Sequence, residues 1–164
     1  MGLDMYLSAE RFSSGSNHAS EEEKSQFAAL LKASGLTRKD ISDVSPPGRV
    51  RFVGRVRFVV GYWRKANAIH KWFVDVVQGG EDKCMPHDVS RVQLQQLVDE
   101  CKKAIADKGK ADSTALQPQS GFFFGSTEKG ERYYAETQET IQMIESILNN
   151  PKFEDWSFEY RSSW

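Results

Sequence analysis

The 164-residue chain lacks long hydrophobic runs and has only two cysteines, Cys84 and Cys101. No stretch of about 18 consecutive apolar residues occurs, so no membrane-spanning helix is expected and the cytoplasm is the expected location. Two cysteines are too few for a disulfide framework, and both are therefore predicted to be free thiols. Cys101 falls on the apolar side of a predicted helix, which places it in the core.

Motifs that would identify an enzyme or a metal site are also missing. G-x-S-x-G, G-x-G-x-x-G and the P-loop pattern do not occur, and Cys84 and His87 form an isolated Cys-x-x-His spacing. The sequence therefore predicts no metal ion, no cofactor and no turnover. A small enzyme acting on a nucleotide or phosphate ester through His70 is the alternative, because folding can bring Asp4 or Glu128 to this histidine.

Acidic residues are absent between Asp43 and Asp75, where seven basic residues occur. These are Arg49, Arg51, Arg55, Arg57, Arg64, Lys65 and Lys71. The rest of the chain carries 15 basic and 23 acidic residues, although the net charge of the whole chain is only −1. A basic block on an acidic body favours a compact anionic partner, whereas a long nucleic acid by itself would be repelled beyond the block.

The remaining composition is that of a globular protein, with 39% hydrophobic and 27% charged residues. Periodicity predicts strands at residues 2–7, 49–60 and 156–164, and helices at 20–33, 62–77, 90–105 and 126–148. This order predicts an α+β fold in which three main helices pack on one face of a small, mostly antiparallel sheet, with the last strand beside the first. We expect a single domain over residues 1–164, with flexible segments near 11–19 and 106–116.

The predicted helix at residues 62–77 carries polar groups on its apolar face. Asn67 and His70 lie there, so both need hydrogen-bond partners if that face is buried. One interpretation is a core polar network that fixes the packing of the helix. The other is a ligand site that comprises Tyr62, Arg64, Lys65, Asn67 and His70.

Arginines alternate with apolar residues in the predicted strand 49–60. Arg49, Arg51, Arg55 and Arg57 are therefore expected to form a solvent-facing basic strip. Such a strip either contacts the phosphate groups of a partner or protects an edge strand from aggregation.

Three phenylalanines lie between Gly121 and Gly125. A short apolar run bounded by glycines is typical of a buried strand. Alternatively, Ser126 or Thr127 caps a helix that starts there, and its free N–H groups form an anion site beside the aromatic rings. This second interpretation adds to the ligand site Gly121, Phe122, Gly125, Ser126 and Thr127.

Four sequence blocks, MGLDMYL, GYWRKANAIHKWFVDVVQ, QSGFFFGSTE and FEYRSSW, resemble a family of small proteins encoded by bacteriophages and prophages. The resemblance extends from Gly2 to Trp164 except for residues 9–55 and 102–116. It implies a phage setting and the host cytoplasm, and it carries no activity. We therefore expect an anti-defence type accessory protein that binds a host component, such as a nucleic-acid-guided defence complex that it inhibits, or that sequesters an anionic nucleotide-like ligand.

Overall fold

The computed structural model describes residues 2–44, 52–108 and 114–164. The strands are β1 (Asp4–Ser14), β2 (Val53–Arg64), β3 (His87–Val89) and β4 (Ser157–Ser163). The α-helices are α1 (Glu21–Ser34), α2 (Arg38–Val44), α3 (Asn67–Val76), α4 (Arg91–Ala106) and α5 (Glu131–Leu148), and a short 3-10 helix follows at Pro151–Phe153.

The four strands form one antiparallel sheet in the order β2-β1-β4-β3. The predicted α+β class and the pairing of the last strand with the first are confirmed. The described residues contain five α-helices, so the prediction of three main helices is wrong in number. In addition, β3 was not expected, because a strand of three residues is too short to produce a recognisable alternation.

The chain forms two compact units, of which one comprises Met1–Ala9 with Phe58–Trp164 and the other comprises Glu10–Arg57. That all 164 residues form a single domain stays a prediction. The first unit contains α3, α4, α5, the 3-10 helix, β3 and β4. The second contains α1 and α2.

The core of the first unit lies between the sheet and its helices. Met5 and Leu7 on β1, and Leu3 immediately before it, alternate with less buried residues and are fully buried, and Phe158 and Tyr160 are likewise buried on β4. The buried stripes of the helices complete the same cluster, and they include Ile69, Phe73, Leu94, Leu97, Cys101, Ile141 and Ile144. The predicted core position of Cys101 and the free state of both cysteines are confirmed.

Local contacts define the ends of the helices. Ser20 with Glu23, and Ser90 with Gln93, form capping boxes at the starts of α1 and α4, where the sequence predicts helices to begin. Gly35 ends α1 with a φ of 72°, a left-handed conformation that favours glycine. None of the described helices is long and apolar enough to cross a membrane.

The helix predicted at residues 62–77 is wrong over its first turn, because β2 continues to Arg64. Trp63 is buried and donates from Nε1 to Thr140 Oγ1 at 2.8 Å. β2 also continues through Gly61. A Cβ at this position would lie 2.9 Å from Met143 Sδ and 3.1 Å from Leu7 Cβ, so the glycine allows these side chains to pack closely on the strand. Packing against α5 therefore decides the conformation of this segment, overriding a periodicity that fits a helix.

Two predicted boundaries are also displaced. β1 continues to Ser14, so the flexible segment expected from residue 11 does not begin there. At the other end of the chain, Thr114 and Leu116 are buried, although the mobile segment was expected to reach residue 116. Thr114 is held by a hydrogen bond of 3.1 Å from its hydroxyl to Glu100 O, which explains why this polar stretch is packed.

Candidate functional site

Asn67 is buried in the first turn of α3, as predicted, and all its polar atoms are used. Its Nδ2 donates to Phe124 O at 3.1 Å and to Ser126 O at 2.7 Å, while its Oδ1 accepts from Gln119 N at 3.2 Å. The amide therefore fixes the segment 119–126 against α3. It supports the turn between Gly121 and Gly125 from inside the molecule.

His70 is fully buried, and both of its ring nitrogens have partners. Nδ1 lies 2.7 Å from the hydroxyl of Tyr160, and Nε2 lies 2.8 Å from Asp82 Oδ2. Burial lowers the pKa of His70, although Asp82 acts in the opposite direction. The neutral tautomer with the proton on Nε2 satisfies this arrangement, because the carboxylate accepts and the phenol donates to Nδ1.

The groups Asp82, His70 and Tyr160 are connected in the order of a proton relay. His70 and Tyr160 are 0% exposed, however, and burial raises the pKa of Tyr160 well above its usual value. The Tyr160 hydroxyl and the His70 imidazole are therefore hydrogen-bonded to each other, and neither presents an atom to a substrate. What this arrangement does is stabilise the packing of α3 on β4, as the core-network interpretation predicts.

The turn between Gly121 and Gly125 is anchored through its last two phenylalanines. Phe123 O accepts from Leu3 N at 3.2 Å. The buried ring of Phe124 lies 5.2 Å from the His70 ring and 5.9 Å from the Trp164 ring. Trp164 is held in turn, since its Nε1 donates to Asp82 Oδ2 at 3.0 Å. The buried network of His70 therefore supports the same turn as Asn67 does.

The first phenylalanine of this turn has the opposite environment. Phe122 is 95% exposed, the largest exposure among the large hydrophobic side chains of the described residues. Its ring touches Phe123, at a centroid distance of 4.8 Å. The backbone behind it is fixed, so a large apolar ring is held in solvent by a rigid support.

Basic side chains lie beside the turn. Gly125 has a φ of 90°, and a Cβ there would lie 3.2 Å from Lys65 Cβ. Arg64 precedes Lys65 at the exposed end of β2, where Arg64 O accepts from Arg132 Nη2 at 2.9 Å. In the described part of the chain, no carboxylate pairs with Arg64 or Lys65. Lys65 therefore lies against the last residue of the turn, whereas Arg64 is carried by β2 and not by a helix.

A small cleft of about 30 Å³ opens at the start of α3. Its lining includes Lys65, Asn67 and Ser126 of the predicted ligand site, together with Glu128, Arg132 and Glu136. Asn67 N donates to Lys65 O at 2.9 Å, and no side chain caps the remaining N–H groups of the first turn of α3. Burial raises the pKa of Glu136, which Arg132 partly offsets through a contact of 2.7 Å. A cleft of this size holds a few waters or one small polar group.

The predicted helix start after Gly125 is wrong. Ser126 Oγ accepts from Glu128 N at 3.1 Å, which closes a local turn, and Thr127 is exposed. α5 starts only at Glu131, with Gly130 as its N-cap. The available N–H groups near Ser126 therefore belong to α3.

Tyr62 points to the opposite side of β2 from Trp63. Its hydroxyl donates to Asp4 Oδ1 at 2.5 Å, and this hydrogen bond raises the pKa of Tyr62. Its ring lies 5.4 Å from that of Tyr6. Tyr62 is thus an exposed residue of the sheet surface and does not share the α3 stripe with Asn67.

The predicted basic strip is partly neutralised within the second unit. Glu10 is buried on β1, and its two carboxylate oxygens lie 3.3 Å from Arg55 Nη1 and 3.1 Å from Arg57 Nη1. Arg49 and Arg51 lie outside the described residues. The strip cannot be treated as four independent cations, since two of them share one carboxylate.

Sequence reasoning missed the residues that complete these networks, namely Glu10, Asp82, Gln119 and Tyr160. Tyr160 was detectable, because the alternation in WSFEYRSSW places it with Phe158. Asp82 lies between Gly80 and β3, outside any periodic segment, so it gave no signal.

No group of three or more His, Cys, Asp or Glu side chains that could hold a metal ion occurs within residues 2–44, 52–108 and 114–164. Comparisons with protein-family models, with curated proteins and with solved structures find no match to this chain.

Proposed function

We propose that this protein is a phage-encoded accessory protein of the anti-defence type, which binds a host protein in the host cytoplasm without chemical turnover. The observation that carries the proposal is the 95% exposure of Phe122 on a turn fixed by Asn67 and Phe124. Nucleic-acid-guided defence complexes are one class of host partner that suits it.

An exposed aromatic ring on a rigid support has the properties of a binding anchor. Aromatic side chains are enriched among the residues that dominate interface energies. A turn that is already ordered loses little conformational entropy when a partner covers it. Phe122 therefore has a clear use in a complex, whereas in the isolated chain it buries almost no surface.

The charges beside the anchor define the partner's surface. Arg64 ends β2, Lys65 follows it and lies next to Gly125 of the turn, and Arg132 donates to Arg64 O. A partner with an apolar pocket and acidic groups at its rim would bury Phe122 and pair with these cations. Such a rim favours fast association and makes binding sensitive to salt.

The test is photo-crosslinking in host cells with a benzophenone amino acid placed at position 122. A matched probe at Val92, which is also largely exposed but lies on α4, is the control. We expect one host protein to crosslink at position 122 and not at 92. Phe122→Ala should then lower the affinity of the purified partner at least tenfold, and equal affinity for the wild type and the variant would refute the proposal.

A second candidate function is sequestration of an anionic nucleotide-like ligand. The uncapped start of α3, with Lys65 in the cleft, supplies N–H groups and a charge for a phosphate, and Phe122 supplies a stacking surface. The test is to incubate the pure protein with cyclic and linear nucleotides and to recover them after denaturation. Intact recovery of a retained nucleotide supports sequestration, conversion indicates an enzyme, and no retention leaves the host protein as the partner.

A further inference from the structure

β2 is an edge strand of the sheet, with a neighbour on one side only among the described residues. We call its segment from Phe58 to Arg64 the open edge. Within it, residues 58–63, FVVGYW, contain neither a charged residue nor proline. Charge and proline commonly protect edge strands from pairing, and residues 58–63, between Arg57 and Arg64, contain neither.

The open edge presents unpaired backbone groups at defined positions. Lys65 N donates to Leu3 O, immediately before β1, at 2.8 Å. Since successive residues of a strand point their N–H and C=O groups to opposite sides, Tyr62 and Arg64 direct theirs away from β1. The contact from Arg132 to Arg64 O agrees with this direction. Tyr62 therefore offers one donor and one acceptor to an added strand.

The side chains of the open edge are apolar and solvent-accessible. Phe58 is 56% exposed, Val59 is 60% exposed and Tyr62 is 49% exposed. Trp156 extends this surface, because its ring lies 5.9 Å from that of Phe58. An added strand would therefore find apolar surface beside the backbone groups.

We propose that an extended segment of the partner protein adds to the open edge as a fifth strand. The exposed side chains of the edge define the chemistry of this segment: its apolar residues cover Phe58, Val59 and Tyr62, and an Asp or Glu at one end pairs with Arg64 and Lys65. A second copy of this chain fits less well, because antiparallel pairing of residues 58–63 with themselves places Arg57 opposite Arg64.

This inference rests on the proposed function, since it describes how the same partner binds. It assigns a second contact to that partner, separate from the aromatic anchor at Phe122. The two contacts can therefore fail independently in an experiment.

The test uses peptides selected from a random 12-residue library against the pure wild-type protein. We compare Tyr62→Pro with Tyr62→Ala, because both variants lose the ring and only proline loses the outward N–H group. Selected peptides should combine apolar residues with Asp or Glu, and they should bind Tyr62→Pro at least tenfold more weakly than Tyr62→Ala. A peptide series with single N-methylated amides repeats the test on the unchanged protein, and alternate positions should lose at least tenfold in affinity.

Equal binding of the peptides to Tyr62→Pro and Tyr62→Ala, together with tolerance of N-methylation, would overturn the open-edge inference. If Phe122→Ala still lowers the affinity for the host protein that crosslinks at position 122, the proposed function stands without the open-edge inference. Concentration-dependent dimerisation of the wild type that Tyr62→Pro removes would also overturn it, because the occupant would then be a second copy.

Discussion

Asn67 and His70 lie three residues apart on α3 and hold different parts of the molecule. Asn67 binds the segment 119–126, whereas His70 connects α3 to β4 and to Asp82. Both side chains are buried with satisfied polar atoms, which is the usual state of such groups in a core. Their contribution to binding is therefore indirect, through the turn that carries Phe122.

The first prediction concerns Asn67→Ala. The change leaves Phe124 O, Ser126 O and Gln119 N without their partner, and it should lower the free energy of unfolding by about 1–3 kcal/mol. Urea denaturation measures this difference. Asn17→Ala, at an exposed position, is the control and should change stability by less than about 0.5 kcal/mol. Equal stability of the Asn67 variant and the control would mean that the turn is held by other contacts.

The second prediction concerns the pH dependence that His70 produces. Its pKa is lowered in the folded state by burial, whereas an unfolded histidine titrates near about 6.5. The unfolded chain thus binds more protons at acidic pH, so stability is present above about pH 6.5 and falls as the pH decreases below it.

This slope is measured by urea denaturation between about pH 7.5 and pH 5. His70→Gln should show a smaller loss of stability over this interval than the wild type, because the titrating group is absent. Parallel curves for the two proteins would show that His70 is not the source of the acid sensitivity.

At the scale of elements, boundaries set by neighbouring residues were predictable and those set by distant ones were not. Ser20 and Ser90 begin helices through contacts with residues three positions away. The change from β2 to α3 depends instead on Trp63 bonding to Thr140, a contact across 77 positions that no local pattern contains. The sequence therefore predicted only part of the polar network that supports the site: it identified Asn67 and His70 but not their distant partners.

The third prediction concerns the packing of β2 on α5. Gly61→Ala places a Cβ 2.9 Å from Met143 Sδ and 3.1 Å from Leu7 Cβ, and it should lower stability by about 1–3 kcal/mol. The flexible end of Met143 gives way more easily than Leu7. Adding Met143→Ala to Gly61→Ala should therefore recover part of the loss, which a double-mutant cycle measures. Strict additivity of the two changes would contradict this contact.

At the scale of the whole molecule, the basic block contains two pairs of cations in different environments. Arg55 and Arg57 share the buried carboxylate of Glu10, whereas Arg64 and Lys65 have no acidic partner among the described residues. The first pair therefore contributes to folding, and the second is available to a binding partner. A sequence shows the sum of these charges, but it does not show where the buried counter-charge lies.

The last prediction separates the two pairs by charge reversal. Arg55→Glu with Arg57→Glu places like charges beside Glu10, and it should cost about 1–3 kcal/mol of stability, less than a fully buried pair because both arginines are half exposed. Arg64→Glu with Lys65→Glu should keep the wild-type stability and lower the affinity for the selected acidic peptides at least tenfold at low salt. Raising the ionic strength should weaken peptide binding by the wild type and strengthen that of the second variant, because salt screens an attraction in the first and a repulsion in the second. Isothermal titration at two salt concentrations measures both effects, and wild-type affinity in the second variant would remove Arg64 and Lys65 from the binding surface.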